Sequence, residues 1–216
     1  MAHEGLWEQL DKLDRRAGRP AEGRFDQTRL RRAQRAKCQY LSNPERYVVT
    51  LLNTEYLVNL SQREIFSLRP PLPPAPAGFL ERLCILTYLI NAQDLPLANK
   101  LVKGESLPGG QFFFQGVHKL PTQKLEKAFG DCPQTLYQLL VQFNAKRREF
   151  GDASIELDVF PRVPLTIVIW RRDEEFAARA SILFDQTAAA QLPLDALLAA
   201  VNLTVDALVN AAEVSG

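Results

Sequence analysis

The chain has 216 residues, 46% of them hydrophobic and 24% charged, with a formal net charge of +1. That is an ordinary globular composition, and so small a net charge excludes bulk electrostatic attraction to DNA or to an acidic membrane surface. Three scattered cysteines, Cys38, Cys84 and Cys132, form no CxxC pair or disulfide framework and are too few for a four-cysteine iron–sulfur site, so a cytoplasmic location is expected.

Acids interrupt the apolar residues of the N-terminal stretch MAHEGLWEQLDKLDRR, which therefore does not read as a secretory signal. Leu6, Trp7, Leu10 and Leu13 fall instead on one face of a helix expected to end near Gly18. Asp26 is placed to cap a second helix over RLRRAQRAKCQYL. From Arg15 to Lys37 nine Lys or Arg residues face only Glu22 and Asp26, a local charge of +7 that leaves −6 for the rest. The period then changes to two. Runs starting at Tyr47 and Tyr56 predict a β-hairpin around Asn53-Thr54-Glu55, continued by Glu64 to Leu68. The segment RPPLPPAPAG, residues 69–78, cannot enter a helix or a central strand and predicts a stiff connector. After it, FLERLCILTYLINA is apolar almost all round, as a buried helix is.

Gly104 to Gly110 reads as a loop leading to Phe112, Phe113, Phe114 and His118. Helices are expected over TQKLEKAF, closed by Gly130, and from Pro133 to about Phe150, where Lys146-Arg147-Arg148 suit a helix C-terminus. Strands are expected at about 154–160, 163–171 and 178–185, the last two joined by an acidic knot, and PLDALLAAVNLTVDALVNAA closes the chain as an amphipathic helix or helix pair. No stretch reaches the ~20 apolar residues of a membrane span. The sum is an α+β fold: an antiparallel sheet with helices packed on one side, preceded by a small helical and β-hairpin N-terminal unit. The expected division is a basic helical arm at 1–39, a hairpin unit at 40–68, the proline linker at 69–78 and the main body at 79–216.

Asp173, Glu174 and Glu175 sit where a plain hairpin turn would use glycine or asparagine. Such acids suit acid–base work or a hard cation, or an ion-pair network with Arg171, Arg172 and Arg179. His118 is the only histidine beyond the N-terminal tail. Beside an aromatic run it can serve as an axial ligand to a tetrapyrrole metal or as a general base, or simply satisfy a backbone carbonyl near a turn. Gly109-Gly110 allows close backbone approach or an ordinary turn; the spacing is not that of a phosphate loop. The basic segment 15–37 suits contact with RNA or an acidic protein partner, or is simply a solvated helix face; it has too few aromatics to stack bases. There is no GxSxG elbow.

Two segments carry a resemblance. ESLPGGQFFFQGVHKLP and VPLTIVIWRRDEEFAARASILFD, in that order and followed by a C-terminal helix, resemble the prokaryotic family catalogued as domain of unknown function 3786, over about residues 40–210. The matching positions are Leu107, Pro108, Gly109, Gly110, Gly116, His118, Pro164, Asp173, Glu174, Glu175, Phe176, Phe184 and Asp185. The resemblance implies that these residues line any shared site. Some members of the family are joined to a cysteine-rich iron–sulfur segment like those of corrinoid proteins, which implies a link to tetrapyrrole or one-carbon chemistry. This chain lacks that segment.

The resulting expectation is a non-catalytic binding protein. Gly109, Gly110, Phe112, Phe114 and His118 would form one wall of a pocket, and Arg171, Arg172, Asp173, Glu174 and Glu175 the opposite rim. The ligand would be flat, largely apolar and anionic, a tetrapyrrole such as haem or a corrinoid, with His118 reaching its metal. One alternative is an assembly factor engaging a larger partner through the basic arm. The other is an enzyme pairing His118 with Asp173, Glu174 or Asp185.

Overall fold

The computed structural model describes residues 3–16 and 24–215, with side chains over 3–15 and 27–214. The chain opens with α1 (Glu4–Arg16) and α2 (Arg24–Ala36). Helix α2 starts before Asp26, so Asp26 lies inside the helix and not at its cap; the expected end of the first helix near Gly18 lies outside the described residues.

A five-stranded antiparallel sheet follows, in the order β1 (Gln39–Ser42), β2 (Glu45–Leu51), β3 (Thr54–Asn59), β4 (Glu64–Leu68) and β5 (Ala75–Pro76). The period of two shows in its burial: Tyr47, Val49, Leu51, Tyr56, Val58 and Ile65 all turn to the core. The β2–β3 turn is Leu52-Asn53, both left-handed with φ of 49° and 58°, the handedness that matches strand twist in a two-residue hairpin. Asparagine adopts that region readily and leucine does not. Leu52 is held there by its N–H, which donates to the Val159 carbonyl at 3.0 Å, while Asn53 Nδ2 donates to the Gln142 carbonyl at 3.0 Å. The proline segment does more than connect. Ala75 and Pro76 return as an edge strand on β4, a position where a missing N–H does no harm.

Helix α3 (Phe79–Asn91) buries every residue from Cys84 to Leu89. The rest of the chain runs through β6 (Leu101–Lys103), α4 (Gly110–Phe113), α5 (Thr122–Phe129), a 3-10 turn (Pro133–Leu139), β7 (Lys146–Arg148), β8 (Ala153–Phe160), β9 (Val163–Trp170), β10 (Arg179–Asp185), α6 (Ala188–Gln191) and α7 (Leu194–Ser215). Its strands form a second antiparallel sheet in the order β6-β10-β9-β8-β7. Central β9 is buried from Val163 to Ile169. Leu165, Ile167 and Ile169 pair with Ile155, Leu157, Ile182 and Phe184 across the register to give the core face. The helix expected from Pro133 stops as a 3-10 turn, and Asn144 turns the chain with a φ of 48°. Lys146-Arg147-Arg148 therefore forms the outer edge strand, not a helix end, and edge charge discourages pairing with other chains.

The fold is α+β, with two antiparallel sheets where the sequence suggested one main sheet and a hairpin. A continuous hydrophobic core runs from Trp7 and Leu10 through α3 to Leu208. The basic arm is part of it, since Ala33 and Ala36 are buried and the Tyr88 hydroxyl donates to the Ala36 carbonyl at 3.0 Å. Helix α7 is long and apolar enough to cross a membrane by length and composition; here it packs on α3 and α5 and buries Leu197, Val201, Val205 and Leu208.

Buried charge fixes the arm. Arg32, only 1% exposed, donates to Asp14 Oδ1 at 2.6 Å and to the Tyr47 hydroxyl at 3.2 Å. Arg29 Nε donates to the other Asp14 oxygen at 3.0 Å and Arg29 Nη1 pairs with Glu45. Removing one member of a buried pair strands the other charge, at a cost of about 3–5 kcal/mol. Asp14→Ala is therefore expected to lower the unfolding free energy in urea by about that amount. The double variant Asp14→Ala/Arg32→Met, which removes both charges, should recover most of the loss.

Candidate functional site

Three successive phenylalanines on one helical turn point about 100° apart and cannot all be buried. Phe114 turns inward, 4% exposed and stacked 6.1 Å from Phe184. Phe112 turns outward and is 83% exposed, as is Val117 at 93%. Phe113 lies between them and stacks on the exposed His118 ring, centroids 4.7 Å apart and planes within 3°. The His118 backbone N–H donates to Gln115 at 3.0 Å, and its imidazole makes no hydrogen bond among the described residues. The projection is anchored by buried Leu107 and by the two glycines. Gly109 has a φ of +76°, and a Cβ on Gly110 would sit 2.0 Å from the Gly104 carbonyl oxygen. Gly110 therefore serves close packing within the chain, and Phe114 is a core anchor, not a pocket wall.

The acidic knot is a self-closed turn. Asp173 Oδ1 accepts the N–H groups of Glu175 at 2.9 Å and Phe176 at 2.7 Å, and the Asp173 N–H donates to the Phe176 carbonyl at 3.0 Å. The expected network with the neighbouring arginines is not formed. Arg172 Nε pairs with Asp131 at 2.8 Å, Arg179 lies over the Trp170 ring at 4.4 Å, and Arg171 is held through its backbone N–H, which donates to Asp152 at 2.7 Å. Glu174 and Glu175 are exposed. With Glu126, Lys127 and Phe176 the knot lines an open cleft of about 470 Å³.

Asp185 is buried and fully engaged. Its Oδ1 accepts from the Thr187 N–H at 3.0 Å, the Thr187 hydroxyl at 2.6 Å and the Ala98 N–H at 3.1 Å. Burial pushes its carboxyl up, but the hydrogen bonds from Thr187, Ala98 and Asn99 outweigh it and hold the group below the ordinary carboxylate range. It is a structural tie between the 98–99 loop and α6. Burial likewise pushes the Cys38 and Cys84 thiols up to about 12, which leaves neither as a ready thiolate.

None of the described cavities is lined by both the Phe112–His118 projection and the Arg171–Glu175 corner. Among the described residues no group of three His, Cys, Asp or Glu side chains is placed to hold a metal, so His118 is not part of a three-ligand site of that kind. Sequence reasoning did not find the larger cleft, about 670 Å³, between the β2–β3 hairpin and α7, where Tyr56, Arg69, Phe143, Leu203 and Asn210 meet. Those residues come from distant segments, and no local period or motif joins them.

The molecule is an α+β protein in which the Gly109–His118 and Asp173–Phe176 motif residues lie mostly on exposed connections of the second sheet, while Pro164, Phe184 and Asp185 are buried within β9 and β10. The chain belongs to the family described as Domain of unknown function (DUF3786), whose model matches residues 30–207. No curated protein and no solved structure matches it.

The Asp185 tie has a pH signature. Its folded pKa lies below the unfolded value of about 3.9, so its contribution is complete above that pH and is lost as pH falls through the folded value. Asp185→Asn is expected to cost about 1.5–3 kcal/mol at neutral pH, as charge-assisted hydrogen bonds do. In acid titrations followed by circular dichroism the variant should show a smaller stability loss below pH ~4 than the parent.

Proposed function

We propose that this chain is a non-catalytic binding protein whose recognition element is the projecting segment around Phe112, Phe113, Val117 and His118. The observation that carries this reading is the pairing of exposed apolar surface with an unbonded imidazole on a rigid base. Isolated exposed apolar residues are common, but a cluster on a well-anchored projection marks a contact surface. The acid–base alternative has less support, because Asp173 is spent on its own turn and Asp185 on Thr187 and Ala98.

The ligand class is flat, largely apolar and anionic, and a tetrapyrrole such as haem or a corrinoid is the first to test. Phe112 and the Phe113–His118 stack supply apolar contact, the imidazole can reach a metal, and exposed Lys119 can meet a carboxylate. Titration with haemin and with cobalamin should shift the absorption band of one of them. His118→Ala should abolish the shift, and Phe112→Ala should weaken binding by about 0.5–1.5 kcal/mol or more. Unshifted spectra with both compounds would remove the tetrapyrrole.

A second reading, partner docking through the basic arm, has one observation in its favour. The outer side of α2 exposes Leu30, Arg31 and Arg35, with exposed Lys37 just past its end, while Arg29 and Arg32 turn inward. Deleting 1–39 cannot test it, because Trp7, Leu10, Ala33 and Ala36 belong to the core. Arg31→Glu/Lys37→Glu should leave thermal unfolding unchanged and lose co-purifying protein; retention of that protein counts against the arm.

A further inference from the structure

We propose that the outer face of the first sheet is the interface of a homodimer, a second copy of the chain packing on it face to face across a two-fold axis. An antiparallel sheet with one face in water normally alternates apolar residues inward with polar residues outward. Here Tyr47, Val49, Tyr56, Val58 and Ile65 form the inward set, so the opposite face should be polar. Its middle is not. The register aligns Val48, Leu57, Phe66 and Pro76 in one row across β2, β3, β4 and β5. The hydrophobic core and the side chains packed against it include none of these four residues. A contiguous apolar row outside the core marks a contact surface.

The charges beside the row say what covers it. Arg46 lies on one side, opposite Asn59, and Glu55 lies on the other, opposite Thr50. Four residues along the strand separate the two positions, about 14 Å, so Arg46 and Glu55 of one chain cannot pair. The Arg46 Nε is buried and makes no hydrogen bond, and neither charge has an ion pair among the described residues. The face is thus an apolar row with an unpaired cation on one flank and an unpaired anion on the other.

Such a face is complementary to itself. A two-fold axis running along the row lays Leu57 on its own copy. It also turns the Arg46 flank of each chain over the Glu55 flank of the other, which makes two opposite-charge pairs at once. The other axis in the sheet plane, along β3, would set Glu55 against Glu55 and is disfavoured by like-charge repulsion. Glu64, the first residue of β4, is exposed at the rim. Sheets packed in this way lie about 10 Å apart with strands within about 30° of each other, a gap that facing leucine and phenylalanine side chains fill. Four apolar residues are few for an obligate dimer, so the association is reversible and concentration-dependent.

Sedimentation velocity of the full chain tests the assignment, over concentrations from about 1 μM to about 200 μM. The mass is expected to rise from 24.3 kDa towards twice that value. Leu57→Lys should leave only the monomer, with folding checked by circular dichroism. Arg46→Glu and Glu55→Arg should each weaken the dimer about tenfold. The double variant Arg46→Glu/Glu55→Arg, which swaps the two charges, should restore it. A monomer at every concentration, a dimer that survives Leu57→Lys, or a charge swap that fails to restore association would overturn the proposal. His118→Ala, outside the first sheet, should dimerise like the parent, which keeps this outcome separate from that of the haem titration.

Discussion

Helix α3 must be covered on every side, and most of the architecture follows from that requirement. Its 13 residues include six consecutive buried positions, Cys84 to Leu89, so no face can be left to water. Helices α1, α2, α6 and α7 and strand β2 all pack on it, and Tyr88 stacks on Phe160 of the second sheet at 4.2 Å. An amphipathic helix would have needed one sheet as cover. A helix apolar all round draws in both sheets and both ends of the chain, which explains a core that spans Trp7 to Leu208.

Covering α3 with a basic arm brings charge into the interior. The fold meets this with paired groups: Arg32 and Arg29 share Asp14, and Arg162, 6% exposed, donates to the Leu95 carbonyl at 2.9 Å and pairs with Asp94. Such networks are weak sources of net stability but strict about geometry, because any misplacement leaves a buried charge alone. They set where α1 and α2 dock, and they take cations out of a segment that would otherwise present a strongly positive surface.

The Phe112–His118 projection and the larger cleft are what this packing leaves over. Three phenylalanines on one short turn cannot all face inward, so anchoring Phe114 pushes Phe112 out and lays His118 on Phe113. Docking the hairpin tip on β8 while α7 packs on α3 leaves a cleft between them with Arg69 at its edge. The first surface is a consequence of local helical geometry, the second of how distant elements meet.

Much was therefore legible in the chain itself. Periods of two and of 3.6 located the β2–β3–β4 meander, the three long strands of the second sheet, α3, α5 and α7, because burial on one face leaves a repeat in the residues. The Phe112–His118 and Asp173–Asp185 patches stood out as motifs, and the first is the surface on which the proposed function rests. What the sequence could not determine were the short edge strands β1, β5, β6 and β7, whose pairing comes from a neighbour rather than from their own pattern. Nor could it decide that Arg29 and Arg32 turn inward, that Asp185 is consumed by Thr187 and Ala98, or that residues from 51 to 214 enclose a cleft. A residue's neighbours along the chain set its local geometry, but its electrostatic partners and the hollows it borders belong to segments far away in sequence. Those were settled only when the tertiary structure brought the segments together.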